Sequence, residues 1–324
     1  MKKNIVVIAG GNSSEYEVSI KSGNHIYAEI DGERYNKYLM FLKGRDWQVE
    51  YAGKRYIVDK NDFSFVQEGE KITFDYAYIT IHGNPGENGM LQGYLDMMGI
   101  PYSTCSTLCE ALTFDKYTCT NYLQGFGIPT TNPIILFRGK QHDREAILKA
   151  VGLPCFVKPN AEGSSFGVSK VKTAEALDEA LNKAFEKCPE VLVEAFIDGI
   201  EFTCGLYKAK GKKVVFPVAE VVPKKEFFDY DAKYDAKLSD EIIPGRFSED
   251  VTEKIQEMTS EIYDILRCEG IIRVDYIVRE DEIFMLEVNT TPGMTSNSFV
   301  PKMVRAMGGT LREVLTKIID NKLN

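Results

Sequence analysis

The chain has 324 residues, too many for one small core and suited to roughly two or three domains of ordinary size. Hydrophobic residues at 44% and charged residues at 27% are the usage of a soluble globular protein. A net charge of -9 without a Lys/Arg stripe argues against a nucleic-acid surface, although local lysines can still hold a phosphate. The seven cysteines are odd in number, scattered and without a C-x-x-C pair, and only three histidines accompany them. They read as small buried hydrophobes of a reducing compartment rather than zinc ligands. The apolar run after the basic tip is too short for a signal segment, and no stretch approaches the ~20 apolar residues of a membrane span. The expectation is a cytoplasmic protein.

Residues 4–9 (NIVVIA) read as a buried strand ended by the turn Gly10-Gly11. Ser14 and Glu17 have the spacing of a capping box, and Val18, Ile26 and Ile30 continue on a helical period. Strand, glycine turn and helix open a parallel α/β sheet. Residues 35–43 and 46–58 alternate as strands, 75–81 is another buried strand, and the loop HGNPGENG (82–89) leads into a helix over 89–98. A first domain of about a hundred residues closes at IPYS. A helical pattern then runs over 106–125 to a glycine stop at GFGIP. Strands at 133–137 and 154–158 flank a helix at 143–151, and NAEGSSFG (160–167) precedes the strand VSKV and a helix over 174–187. The last third reads as strands at 191–197, 201–208 and 213–222, an irregular stretch over 223–247 and a helix over 249–268. Strands at 271–278 and 283–289 and a terminal helix complete it.

Two places carry chemistry. EGSSFG (162–167) offers backbone N–H groups and serine hydroxyls to phosphate oxygens, but it lacks the G-K-[ST] of a Walker A loop and lies between strands. It is therefore a hairpin lid or simply a hairpin tip. Lys158, ending a buried strand beside it, needs an anionic partner. The second place is a hairpin. Arg273 and Asp275 share one strand face, as do Glu287 and Asn289. If the turn holds residues 280–282, Asp275 faces Glu287 and Arg273 faces Asn289; a two-residue turn sets Asp275 opposite Leu286 instead. Two carboxylates and an amide oxygen converging make a site for Mg²⁺. The competing reading, an ion-pair face on an exposed strand, is opposed by Ile277, Leu286 and Val288. His82 ends a strand in the HGNPGENG loop, where it faces a ligand or caps the next helix. Glu15 equally suits a first-turn acid. GGNSSE is not G-x-G-x-x-G, which disfavours a nicotinamide oxidoreductase.

Taken in order, GGNSSEYEVS (10–19), HGNPGENG, LTFDK (112–116), FVKPNAEGSSFGVSKV (156–171), FFDYDAKY (227–234), RVD (273–275) and EVNTTPGMTSNSFVP (287–301) resemble the D-alanine–D-alanine ligase family over almost the whole chain. The resemblance implies an α/β, three-domain ATP-grasp fold. Its parts are a Rossmann-like N-terminal domain (1–103), a central subdomain with the glycine-rich lid (104–192), and a C-terminal subdomain (193–324) with an ω-loop (223–247) and the metal site. It implies ligation of two D-alanine molecules at the expense of ATP, through D-alanyl phosphate, for peptidoglycan precursors. A ligase adding D-lactate or D-serine is the alternative, and a non-catalytic nucleotide binder is disfavoured because Arg273 and every metal ligand are present.

In that family's terms Lys116 and Lys158 contact ATP phosphates under the lid residues Glu162, Gly163, Ser164 and Ser165. Glu194, Ala195, Phe196 and Ile197 frame the adenine, and Glu201 holds the ribose. Asp275, Glu287 and Asn289 carry two Mg²⁺ ions, with Mn²⁺ as a substitute. Arg273 and the N–H of Gly293 stabilise the oxyanion. Glu15 and His82 hold the first D-alanine, Lys233 and Ser298 the second. Tyr234 bonds with Ser164 and Glu15 to tie loop, lid and N-terminal domain together. The resemblance also implies a homodimer. Departures at Asn88 and Ala195 are peripheral to the chemistry, and STCSTL (103–108) is less glycine-rich than the family pattern.

Overall fold

The computed structural model describes residues 2–163, 166–223 and 239–323. The first sheet contains β1 (Lys3–Gly10), β2 (Tyr35–Lys43), β3 (Asp46–Tyr51) and β4 (Lys54–Ile57). A separate hairpin, β5 (Ser64–Gln67) with β6 (Glu70–Thr73), was not expected from the sequence; β7 (Tyr76–Ile79) then completes the sheet order β4-β3-β2-β1-β7. β1 is parallel to both β2 and β7, and Ile5 through Ala9 are fully buried, as a strand covered on both faces requires. The crossover helix α1 (Tyr16–Glu29) lies hard on β1: a Cβ on Gly23 would fall 2.5 Å from the Cβ of Ala9. The capping box of Ser14 and Glu17 does not form. The N-cap is Glu15, without a side-chain cap, while Ser13 Oγ accepts Glu15 N–H and donates to His82 O. The helix entry is thus tied to the 82–89 loop instead of to itself.

After α2 (Met90–Met98), the helix expected over 106–125 is two helices, α3 (Thr107–Phe114) and α4 (Lys116–Gln124). Asp115 between them is extended, and its carboxylate accepts both Thr118 N–H at 2.8 Å and the amide of Asn160 at 2.9 Å. A one-residue break leaves hydrophobic periodicity almost unchanged, so pattern alone does not reveal it. α3 and α4 bury Cys109, Cys119 and Leu123 in the core under the third sheet.

The second sheet joins β8 (Ile134–Phe137), β9 (Cys155–Pro159), β10 (Ser169–Val171) and β11 (Glu190–Ala195) in the order β10-β9-β11-β8, all antiparallel. With α5 (Arg144–Val151) and α6 (Leu177–Lys187), the latter entered through a 3₁₀ turn at Ala174–Ala176, it closes a core of its own. The third sheet is built on β12 (Ile200–Ala209). Where one strand was expected over 213–222 there are two, β13 (Lys212–Val215) and β14 (Ala219–Pro223), both paired to β12. Between them Phe216 turns in over Gly205, whose Cβ would lie 2.6 Å from its ring. β15 (Ser239–Ile242) pairs with β14 inside the stretch expected to be irregular, because that edge of the sheet offers unpaired backbone groups. After α7 (Glu249–Ile265), β16 (Ile271–Arg279) and β17 (Glu282–Asn289) complete the order β15-β14-β12-β16-β17. The expected terminal helix is two, α8 (Phe299–Ala306) and α9 (Leu311–Leu323), parted at Gly308 with φ 75°. These two and α1 pack in one cluster that bridges the first and third sheets. Among the described residues no helix is long and apolar enough to cross a membrane.

Candidate active site at the meeting of two cavities

β16 and β17 join through a two-residue turn, Glu280 and Asp281, with Arg279 paired to Glu282, not through the three-residue turn expected. Parity alone would then set Asp275 opposite Leu286. A β-bulge corrects the count: Tyr276 pairs with Met285, but Asp275 pairs with Glu287 and Arg273 with Asn289. Leu286 is the extra residue. Met285 and Val288 are buried in the core, whereas Leu286 and Glu287, though consecutive, both line the same cavity. The bulge lets one strand present an apolar wall and a carboxylate side by side.

Asp275 is held at both oxygens. Arg273 donates to it from Nε and Nη2, each at 2.9 Å, Thr203 Oγ donates at 2.6 Å from β12, and Asn289 Nδ2 lies 3.1 Å away. Arg273 also sits 5.7 Å over the ring of Phe299. A half-buried, bidentate pair with further hydrogen bonds has fixed geometry.

Two cavities meet here. The smaller, about 500 Å³, lies between the second and third sheets and is lined by Lys158, Glu194, Ala195, Phe196, Ile197, Glu201 and Leu286. The anionic partner that Lys158 requires is Glu194, 2.6 Å from Nζ, and Glu194 also accepts Thr131 Oγ at 2.6 Å. The larger, about 650 Å³, is lined by Glu15, His82, Glu87, Gly163, Arg273, Asn289, Gly293 and Ser298. Lys116, Glu162, Glu201, Asp275 and Glu287 line both, so the cavities are continuous across the carboxylates. Lys116 Nζ donates to Glu162 O at 2.7 Å and stands 3.9 Å from Glu287. A Cβ on Gly163 would fall 2.1 Å from Oε2 of Glu15, so a side chain there would have to displace the Glu15 carboxylate.

In the larger cavity burial pushes the His82 imidazole pKa down, which favours its neutral form. Its Nε2 and the hydroxyl of Thr291 are buried with no hydrogen-bond partner among the described residues. Such atoms are rare without a ligand or water to satisfy them. Glu87 accepts Gly83 N–H at 2.6 Å, and burial together with the facing Glu15 carboxylate pushes its pKa up to about 8. His82 does not cap the following helix, whose N-cap is Gly89. Oxygen donors from Asp275, Glu287 and Asn289 on adjoining strand positions suit a hard divalent ion.

Every expected site residue that is described lines one of these cavities; Ser164, Ser165, Lys233 and Tyr234 lie outside the described residues. Glu87, Thr131 and Thr203 were missed. The first was visible in GENG, but Thr203 reaches the site through strand pairing and Thr131 from the loop ahead of β8, and neither left a local signal. The cysteines are all buried and free, as expected. Cys105, Cys109 and Cys268 lie within 4.8 Å of one another, but inside an apolar cluster, with the Cys105 thiol donating to Glu269 O at 3.3 Å.

Models of two ligase halves match the chain: D-ala D-ala ligase N-terminus over residues 4–105, and D-ala D-ala ligase C-terminus over residues 122–320. The D-alanine--D-alanine ligase of Bacteroides fragilis (strain YCH46) is 54% identical over 99% of this chain and 100% of its own. The solved VanG D-Ala:D-Ser ligase of Enterococcus faecalis is similar at a TM-score of 0.87 and 32% identity, over 99% of this chain and 100% of that one. The ATP complex of the D-alanine--D-alanine ligase from Bacillus anthracis is similar at a TM-score of 0.80 and 32% identity, over 100% of this chain and 97% of that one. With its sheets, cavities and hairpin face in this arrangement, the chain has the ATP-grasp fold and belongs to the D-alanine–D-alanine ligase family.

Proposed function

We propose that this ATP-dependent ligase joins two D-alanine molecules through D-alanyl phosphate, and that the reaction takes place where the two cavities meet. ATP occupies the smaller cavity, its adenine against Glu194, Ala195, Phe196 and Ile197 and its ribose against Glu201. Lys116 and Lys158 face the phosphates, and Glu162 through Ser165 close over them. Two Mg²⁺ ions, held by Asp275, Glu287 and Asn289, supply the positive charge that lets a carboxylate approach the γ-phosphate.

Glu15 receives the ammonium of the first D-alanine beside the neutral ring of His82. Arg273, anchored by Asp275, and the N–H of Gly293 meet the oxyanion that forms when the second amine attacks. Ser298 and Lys233 take the second carboxylate, and Tyr234 with Ser164 and Glu15 holds the closed state that keeps water from the acyl phosphate. The N-terminal domain ends near residue 103. The central subdomain runs over 104–192 and the C-terminal subdomain over 193–324, with the boundary falling within β11.

The observation that carries this reading is the bulged hairpin, which brings Arg273, Asp275, Glu287 and Asn289 together on one face at the junction of the cavities. The test is phosphate release from ATP with D-alanine, D-serine, D-lactate and L-alanine offered separately, with the products identified. D-alanine alone should sustain turnover and give D-alanyl-D-alanine. Release with L-alanine and none with D-alanine would overturn the substrate assignment.

A further inference from the structure

The loop that carries Gly293 is held from two sides. On one, Ser298 Oγ accepts Thr295 N–H at 3.1 Å and lies 2.8 Å from Thr295 Oγ. On the other, α1 takes both backbone groups of the residue next to Gly293. Met294 N–H donates to Ser22 Oγ at 3.3 Å, and His25 Nδ1 lies 2.7 Å from Met294 O. A carbonyl oxygen only accepts, so Nδ1 carries the proton and donates. Ser22 and His25 are three residues apart and therefore share one helix face. Ser22 and Met294 are buried, and His25 is half-buried in the wall of the larger cavity.

The helix making this grip is itself immobilised. Ser19 Oγ accepts Gly10 N–H and donates to Thr80 O, both at 2.8 Å, and Gly23 packs against Ala9. Its N-cap is Glu15. One rigid rod thus carries the acid assigned to the first substrate at its start. About two to three turns on, it carries the two side chains that fix the neighbour of the assigned oxyanion donor. Glycine has the widest torsional freedom of any residue. Holding both peptide units of Met294 restricts where the Gly293 N–H can point.

We propose that His25, assisted by Ser22, is a positioning residue for amide synthesis: its hydrogen bond to Met294 sets the Gly293 N–H relative to Glu15. This rests on the reading of Gly293 and Arg273 as oxyanion donors. Removing the bond misorients a group needed in the transition state and leaves the nucleotide cavity untouched, so the loss belongs in kcat and not in ATP binding.

The experiment compares the full chain with its His25→Ala, His25→Asn, Ser22→Ala and Arg273→Ala variants, using ATP, Mg²⁺ and D-alanine, with nucleotide binding measured by calorimetry. His25→Ala should lower kcat about tenfold to a hundredfold with the KM for ATP unchanged. His25→Asn, whose amide N–H reaches the place of Nδ1, should recover most of it. Ser22→Ala should give a smaller loss in the same parameter, and it carries the test if His25→Ala does not fold. The proposal falls if His25→Ala stays within about twofold of the parent kcat, a change too small for a misplaced transition-state group. It also falls if the loss lies in the KM for ATP, or if a well-folded His25→Asn is no better than His25→Ala. Parent-like turnover in Arg273→Ala would instead remove the oxyanion reading beneath it, whereas an inactive Arg273→Ala beside a parent-like His25→Ala would remove only the positioning role.

Discussion

The β9–β10 and β16–β17 hairpins border the same space and are built in opposite ways. β10 pairs with β9 at only three positions, Ser169 to Val171 against Val157 to Cys155, and the connection between them runs through Gly163 and Gly167. What the connection brings to the site is backbone: Glu162 O takes the Lys116 ammonium, and Gly163 packs directly on the Glu15 carboxylate. The β16–β17 hairpin has a two-residue turn and an otherwise continuous ladder broken by one bulge, and what it brings is side chains at set register positions. Charges that must converge are placed by register, because pairing fixes which face each one takes. Groups that must cover a ligand are placed on a loop rich in glycine, because backbone donors approach closely where there is no side chain.

The sharpest way to break this contrast is at the register side. Arg273→Ala should reduce turnover by about two to three orders of magnitude, the range for losing one oxyanion donor, while calorimetric ATP binding survives. Near-normal phosphate release would show that the hairpin face does not serve the chemistry. Lys158→Ala comes next. It leaves Glu194 without its cation and should raise the KM for ATP about tenfold, as loss of a charge-assisted hydrogen bond does, with the KM for D-alanine unchanged. Equal shifts in both constants would mean the cavities do not divide the two ligands as described.

Leu286→Ala tests the bulge. Because Leu286 walls the nucleotide cavity while Glu287 beside it faces the metal ligands, the change should weaken ATP binding about threefold to tenfold at unaltered kcat. A fall in kcat with intact ATP binding would place the side chain elsewhere. The smallest effect is at Glu87. Its carboxyl sits at about 8, against an ordinary 4.5, so between those values the folded chain holds a proton that the unfolded chain has lost. The resulting stability is present below 4.5 and disappears as pH rises through about 8. In ligand-free, magnesium-free protein, Glu87→Gln should therefore gain in thermal midpoint relative to the parent on going from about pH 5 to pH 8.5. A constant difference across that range would mean Glu87 is ionised like an exposed carboxylate.

Much of this was legible beforehand where physics acts locally. Ile5 through Ala9, within the run expected as a strand, are fully buried because a parallel strand between helices has no solvent face. The α1 period, the lid glycines and the need of Lys158 for an anion were all readable, and the two parity pairs of the hairpin already singled out Arg273, Asp275, Glu287 and Asn289. The errors share a cause. The expected capping box at Ser14 lost to a hydrogen bond with the 82–89 loop, the helix at 106–125 was divided by a cap at Asp115 shared with Asn160, and the strand at 213–222 was split where Phe216 folds over Gly205. Each was decided by a residue distant in sequence. The hairpin is the instructive case, since the expected pairing of Asp275 with Glu287 is present but its assumed cause, a three-residue turn, is not.

Which residue types exist to do the work, and on which face of its own strand or helix each one falls, follows from the order of residues alone, because side-chain periodicity is a property of the backbone. The glycine at Gly23 also leaves room for a helix to lie directly on a strand. It took the packed chain to show that an extra residue at Leu286 sets the register, that Thr203 and Thr131 reach Asp275 and Glu194, and that α1 grips Met294 beside Gly293. Those are contacts between segments tens to hundreds of residues apart. Their free energy depends on how whole sheets pack, and no window of sequence contains it.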